Sequence, residues 1–283
     1  MKIVVSFTTS PERIGKTYEM VKSILLQSRQ PDLFILNIPT IFPRTNQKYI
    51  IPDFIKKYII INEIKQDYGP ATKLVPTIKY LNDKNYVLDC TYIIYIDDDI
   101  KYNKNMLTAF HDAIIDIGVP SVISGTGINI LQHYQKIKMI SERKHNRSVS
   151  IAEGYGAVCV PLNIFDYNFM PYINKYCVNQ KSNICLLSDD IILSNYYNKK
   201  NVPIIVLNIS NKHSVKELWE NDCILEYGNK SDALHCGANN TSTTNVERYY
   251  RVLSILKNNN DLFIKTISCN QYLKRELELN YIF

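Results

Sequence analysis

Residues 92–99 read YIIYIDDD, an unbroken apolar run of β-branched and aromatic side chains that stops at three consecutive carboxylates. A strand with no polar alternation has to be covered on both faces, which is the situation of a strand inside a parallel sheet of an α/β protein. Comparable strand-like runs lie at 2–8, 33–38, 58–62 and 121–124, each bounded by turn or cap residues. Helical patterns separate them: 16–28 places Met20, Ile24 and Leu25 on one face, and 103–117 does the same with Met106, Leu107, Phe110, Ala113, Ile114 and Ile117. This alternation predicts right-handed βαβ units and a mostly parallel central sheet flanked by helices, a Rossmann-like α/β fold.

The order changes near Gly125. From there to about 151 the chain is read as a basic loop, and IAEGYGAVCVP then returns as a glycine-punctuated strand. A helix is expected over 188–199, a strand over 202–207, and, after a polar Asn-rich stretch, a helix over 245–257 with Val246, Tyr249, Tyr250, Leu253 and Leu256 at suitable spacing. No linker and no internal repeat interrupts the pattern, so one domain is expected across all 283 residues.

The net charge of +6 is spread along the chain rather than gathered in a block, which suits a phosphate-bearing small substrate. A dense basic stripe with interleaved aromatics is absent from the sequence, so nucleic acid is not an expected partner. Seven cysteines without a CxxC pair argue against a disulfide framework and against a zinc knuckle, leaving reduced thiols and a cytoplasmic setting as the simpler expectation. The opening MKIVVSFTTSPERI is too short in apolar residues for a signal-peptide core, and no run of roughly 18 uncharged apolar residues predicts a membrane span.

Four stretches carry chemistry. Asp97, Asp98 and Asp99 stand at the carboxyl end of a strand, where open α/β sheets bind ligands. Adjacent carboxylates raise one another's pKa unless a cation holds them, and oxygen-only ligands point to Mg²⁺ or Mn²⁺; the bland alternative is a solvated acidic turn capping the next helix. In Asp67-Tyr-Gly-Pro-Ala-Thr-Lys73, a Gly-Pro turn opens a helix whose N-terminus, with Lys73 one turn in, suits a phosphate, or is an ordinary Pro-initiated surface helix. The segment Phe7-Thr8-Thr9-Ser10-Pro11-Glu12-Arg13 reads as a nucleotide pocket or as a plain helix start. In Ser188-Asp189-Asp190 a second carboxylate pair opens a helix; Asp190 or Asp189 is a candidate general base, against a reading as an N-cap serine followed by dipole-complementing acids. Of the five histidines, His235 is the one weighed as a further metal ligand, and a surface role is the competing reading for it.

Taken together, SFTTSPERI, DYGPATKL, YIIYIDDDI, EGYGAVCVP, SDDIIL and the late LWEN and GANN resemble, in this order and over about residues 2–256, the GT-A glycosyltransferases. The likeness is to family-2-like enzymes of bacterial surface-polysaccharide clusters and giant viruses. That resemblance implies a GT-A fold with a nucleotide-sugar-binding half over 1–125 and an acceptor-side half with C-terminal helices over 126–283. It implies transfer of a sugar from a nucleotide-diphosphate sugar, UDP being the expected nucleotide, to a hydroxyl on a glycan, a lipid-linked acceptor or a protein, with inversion. By the same resemblance Thr8, Arg13, Asp67, Lys73, Asp97 and Asp98 line the nucleotide-sugar pocket. Asp97 and Asp99 form a DxD pair on Mn²⁺ or Mg²⁺, Asp190 or its neighbour Asp189 is the base, and Gly154, Tyr155 and Gly156 lie on the acceptor side. Related sequences carry an Asn-Asp pair where this chain has Asn239-Asn240, so one late carboxylate is missing.

Two enzymes and one binding module compete. A haloacid-dehalogenase-type phosphatase wants Thr or Val where Lys101 stands and uses the first strand. A sugar nucleotidyltransferase expects glycines after the first strand, which SFTTSPER lacks. A non-catalytic sugar- or metal-binding module would keep the crevice and leave Asp190 idle.

Overall fold

The computed structural model describes residues 1–133, 136–142, 147–179, 183–207, 219–224, 245–268, 270–272 and 274. The strands are β1 (Lys2–Phe7), β2 (Leu33–Pro39), β3 (Ile60–Ile64), β4 (Thr91–Tyr95), β5 (Ile100–Tyr102), β6 (Val122–Ser124), β7 (Gly127–His133), β8 (Lys136–Glu142), β9 (Ile151–Ala152), β10 (Val158–Pro161), β11 (Ile204–Val206), β12 (Trp219–Ile224) and β13 (Ile267–Ser268). The α-helices are α1 (Tyr18–Leu25), α2 (Asp53–Tyr58), α3 (Val75–Asp83), α4 (Met106–Ile117), α5 (Phe169–Ile173), α6 (Asp189–Lys199) and α7 (Asn245–Asn258).

Among the described residues the main sheet has the order β11-β6-β10-β4-β1-β2-β3. β10 runs antiparallel to both of its neighbours, and the other pairings are parallel. The fold class expected from the sequence, an α/β protein with a mostly parallel central sheet flanked by helices, is the one observed. Period-2 alternation sorts the central strands between two apolar layers. Val4, Ile93, Tyr95, Val158 and Val160 face a core closed by α3, α5, α6 and α7, whereas Ile3, Val5, Phe7, Ile94 and Cys159 face one closed by α1, α2 and α4.

Several boundaries moved for identifiable reasons. The expected helix over 16–28 is a 3₁₀ turn at Ile14–Lys16 followed by α1. The strand expected from residue 58 starts at Ile60, because α2 runs to Tyr58. Helix α4 ends where Gly118 adopts φ +66°, a left-handed cap that a side chain would strain. The larger correction lies at 125–151, read from sequence as a basic loop. Here β7 pairs antiparallel with β8, Ile130 opposite Met139, and with β9. The signal was the alternation Lys136-Ile137-Lys138-Met139, whose lysines were read as part of a basic loop.

Helix α6 is buried almost all round, and Asn195 at its centre is fully bonded. Asn195 donates to the Asp261 carbonyl at 2.8 Å and to the Tyr172 hydroxyl at 3.0 Å. Its side-chain oxygen accepts the N–H groups of Phe263 at 2.7 Å and Ile264 at 3.2 Å. Asp261 is held in turn by Tyr176 at 2.8 Å and by Lys175 and Lys199, each at 3.0 Å.

Candidate functional site

Strand register brings the motifs to one edge of the sheet. β1 and β4 are parallel neighbours, so Thr8–Thr9 and Asp97–Asp99 leave the sheet side by side. Val158 opens the antiparallel β10 opposite both Tyr95 and Ser124, which sets the Gly154–Gly156 turn at that same edge. Parallel strands expose unpaired main-chain groups at their carboxyl ends, the usual place for a ligand crevice.

The three carboxylates of the first acidic turn have different surroundings. Asp98 turns inward: Arg13 Nη2 donates to its Oδ1 at 2.7 Å and the Thr9 hydroxyl donates to its Oδ2. The same Arg13 nitrogen reaches Asp99 Oδ2 at 2.8 Å. Asp97 takes the Lys73 ammonium at 2.8 Å, while its N–H donates to the hydroxyl of buried Tyr102 at 3.2 Å. Side-chain exposures of 32% for Asp97 and 18% for Asp99 against 10% for Asp98 leave the outer two facing the crevice. Burial, with Asp99 and Asp97 adding to it, pushes the Asp98 carboxyl up to about 7 against the opposing pull of Arg13 and Thr9. Burial and Asp97 raise Asp99 as well.

Lys73 ends a 3₁₀ turn, Gly69–Lys73, that leads into α3. Asp67 Oδ1 organises the turn by accepting the Gly69 N–H at 3.0 Å and the Thr72 hydroxyl at 2.9 Å. Gly69 has φ +60°, and a Cβ there would lie 2.6 Å from the Leu186 carbonyl oxygen, so only glycine fits. The Lys73 carbonyl is fixed by the Ser6 hydroxyl at 2.6 Å. The sequence suggested a lysine offered to a phosphate at a helix start; the structure buries its side chain to 5% exposure between Asp97 and Asp189, whose Oδ2 lies 3.1 Å away. Burial works to lower the Lys73 pKa, but Asp189, Asp97 and Asp190 outweigh it and hold the ammonium charged.

The second acidic pair opens α6. The Ser188 side chain makes no capping hydrogen bond, which removes one leg of the reading of this stretch as a simple helix start. Asp189 is buried against Lys73. Asp190 is only half-buried, and its two oxygens are held by neutral donors: the Gly154 N–H at 2.8 Å on Oδ1 and the Tyr249 hydroxyl at 2.7 Å on Oδ2. Burial and then Asp189 push the Asp190 carboxyl up to about 7, opposed by Lys73, Tyr249 and the Gly154 N–H. Gly154 is required by close approach, since a Cβ would lie 2.4 Å from Lys73 Nζ and 3.2 Å from Asp190 Oδ1. Ala157, which ends this turn, is buried with φ +60° and ψ 142°, a strained backbone for a residue with a side chain.

Arg13, Lys73, Asp97, Asp98, Asp99, Asp189, Asp190 and Gly154 are thus linked by direct contacts. Thr8 is beside them with its hydroxyl donated to the Asn37 carbonyl at 2.8 Å. Tyr155 packs on the α1/α4 core, and Gly156 closes the turn. His235, Asn239 and Asn240 lie outside the described residues. Sequence reasoning missed Thr9, Tyr102 and Tyr249; the last two were legible only as apolar strand or helix positions, since nothing in the spacing shows where a phenol hydroxyl points.

The metal question can be put to the donor set. Among the described residues, the carboxylates of Asp97, Asp98, Asp99, Asp189 and Asp190 outnumber the cations bonding them, Arg13 and Lys73. No three His, Cys, Asp or Glu side chains among the described residues converge as an ion cage. Two crevice-facing carboxylates, Asp97 and Asp99, in surplus negative charge fit an ion of the Mg²⁺ or Mn²⁺ type that takes its remaining ligands from phosphate oxygens and water.

No protein-family model and no curated protein sequence matches the chain. Among solved structures, S. aureus TarS 1–349 is similar at 15% identity over 74% of this chain and 58% of that one, with a TM-score of 0.41. The same TarS fragment in complex with UDP gives 12% identity, the same coverages and a TM-score of 0.41. 4-Diphosphocytidyl-2C-methyl-D-erythritol synthase gives 7% identity over 74% of this chain and 90% of that one, with a TM-score of 0.42. The chain therefore spans less than two thirds of the TarS fragment it resembles. No helix among the described residues is long and apolar enough to cross a membrane.

Proposed function

We propose that the chain is a GT-A-type glycosyltransferase that moves a sugar from a nucleotide-diphosphate sugar, with UDP as the nucleotide, to a hydroxyl acceptor with inversion at the anomeric carbon. The observation that carries this reading is Lys73, bonded to Asp97 at 2.8 Å and set 3.1 Å from Asp189, which joins two acidic motifs more than 90 residues apart into one crevice. Asp97 and Asp99 would hold Mn²⁺ or Mg²⁺, and the ion when bound supplies positive charge for the departing diphosphate. Arg13 fixes the acidic turn by bridging Asp98 and Asp99, while Thr8 and Asp67 border the strand ends where the nucleotide would lie. Asp190, half-open to the crevice and titrating near neutrality, takes the acceptor hydroxyl proton. As it does so the acceptor oxygen bonds to the anomeric carbon, the bond from that carbon to the phosphate oxygen breaks, and the nucleoside diphosphate leaves. Gly154 and Tyr155 border the acceptor's approach to Asp190.

The test compares two variants against a panel of nucleotide sugars with Mn²⁺ present, reading donor affinity by calorimetry and nucleoside diphosphate release by coupled assay. Asp99→Asn is expected to abolish metal-dependent donor binding. Asp190→Asn is expected to bind donor normally and to lose about 10²–10⁴-fold in turnover, the usual contribution of a general base. Equal loss of binding in both variants contradicts the assignment of roles, and pyrophosphate release from a nucleoside triphosphate and a sugar phosphate, with no nucleoside diphosphate released from the nucleotide sugars, would indicate a nucleotidyltransferase.

A further inference from the structure

Asp190 is seated by a residue from a distant part of the chain. Tyr249 lies on α7, 59 residues beyond Asp190, and its hydroxyl donates to Asp190 Oδ2 at 2.7 Å. Tyr249, Val252, Leu253 and Leu256 fall at i, i+3, i+4 and i+7, one helical face, and all four are buried in the core that α6 shares. Packing of that face therefore fixes the ring, and the ring places the hydroxyl. On the other side the Gly154 N–H reaches Oδ1 at 2.8 Å, so the carboxylate is gripped at both oxygens by donors that carry no charge. Each carboxylate oxygen has two lone pairs, which leaves one on each still able to accept a proton.

We propose that Tyr249 is a positioning residue for proton transfer: its hydroxyl, with the Gly154 N–H, sets the plane of the Asp190 carboxylate and stabilises its ionised form within a buried acidic cluster. This inference rests on the reading of Asp190 as the proton acceptor. Among the described residues, the charged and titratable groups facing the pair are Asp189 and Lys73 beside Asp190, the buried Tyr95 and Tyr197 phenols near it, Glu153 across from Tyr249, and Arg248 next to it near Asp189. A neutral donor steadies the Asp190 carboxylate and still lets it take a proton.

The experiment uses the full chain with Tyr249→Phe, which removes only the hydroxyl, and a second form carrying 3-fluorotyrosine at 249, which keeps the hydroxyl and strengthens it as a donor. The Asp190 carboxyl is titrated by ¹³C NMR on protein labelled at aspartate, assigned with Asp190→Asn, with no metal or donor added. Hydrolysis of UDP-glucose, UDP-galactose and UDP-N-acetylglucosamine is followed with Mn²⁺ across pH. In Tyr249→Phe the carboxyl is expected to titrate at higher pH than in the wild type, the acid limb of the kcat profile to move the same way, and kcat to fall about 10- to 100-fold with KM unchanged. The fluorinated form is expected to move the titration downward. A purely structural tyrosine would lower thermal stability and move neither titration nor acid limb; that result overturns the inference. Should Tyr249→Phe fail to fold, an unmoved titration in the fluorinated form overturns it equally. Retained turnover in Asp190→Asn, with the Tyr249 titration shift present, would instead remove the base assignment while leaving the contact. Turnover lost in Asp190→Asn but unaltered in Tyr249→Phe leaves the proposed function standing and overturns this inference alone.

Discussion

The two acidic motifs are alike in sequence and opposite in electrostatic design. At Asp97–Asp99 each carboxylate meets a charged partner: Lys73 for Asp97, and one Arg13 nitrogen shared between Asp98 and Asp99. At Asp189–Asp190 the first carboxylate meets Lys73, but the second meets only an amide and a phenol. Charged partners hold the first turn's carboxylates as a set of oxygens, against the burial and mutual repulsion that raise Asp98 and Asp99. Neutral donors around a half-buried carboxylate leave its protonation free to change near neutral pH. Lys73 belongs to both motifs, so one buried ammonium joins a charge-paired turn to a carboxylate held by neutral donors.

The largest effect is expected from removing that shared cation. Lys73→Met leaves Asp97 and Asp189 uncompensated, and unfolding in urea should show a loss of about 3–5 kcal/mol, the usual consequence of breaking a buried pair. An unchanged midpoint would mean that the two motifs do not depend on each other. Gly154→Ala sharpens the comparison at the point of closest approach. Its methyl would meet a lysine nitrogen tethered by two carboxylates, and a cost of about 1–3 kcal/mol is expected in the same assay, as for overpacking of a core. A negligible change would show that Lys73 swings aside cheaply and that its tether is weak.

A third comparison separates the motifs by pH. Asp190 titrates near 7 in the folded protein, above an unfolded carboxylate at about 3.9, so the folded state keeps that proton to higher pH than the unfolded chain. Its contribution to stability is fully present below the unfolded value and is lost as pH rises through about 7. Asp190→Asn should therefore lose less stability than the wild type between pH 4 and 7 in urea unfolding. Parallel curves for the two proteins would contradict the shifted titration. Asp32 and Asp261, paired with lysines and lowered, act in the opposite sense and lose their contribution as pH falls.

Much of this was legible in sequence because it depends on local pattern. Unbroken apolar runs marked β1, β2 and β4, and position at a strand end marked Asp97–Asp99. The Gly69-Pro70 turn and the glycine at 154 also showed in the chain itself, the latter as punctuation whose reason is spatial: room for Lys73. What stayed hidden depends on contacts across long separations. Lys73 reads as a helix-start cation for a phosphate until the fold closes two acidic turns over it. Tyr249 reads as a core residue, which its ring is, while its hydroxyl serves another element. The β7–β8 hairpin was missed because its lysines outweighed the period-2 signal.

The Asn195 clamp has a consequence for the order in which the site comes into being. Its donors and acceptors are satisfied by main chain 66 to 69 residues further on, at Asp261 to Ile264. During synthesis the first sheet strands, the Asp97–Asp99 turn and Lys73 all emerge long before those partners do, whereas the buried amide of α6 has only the Tyr172 hydroxyl among its partners until they arrive. The helix that Asp190 opens is thus completed later than the Asp97–Asp99 turn. A chain halted before Asp261 would carry both acidic motifs and both donors that seat Asp190, yet lack the main-chain partners that close the Asn195 clamp on α6.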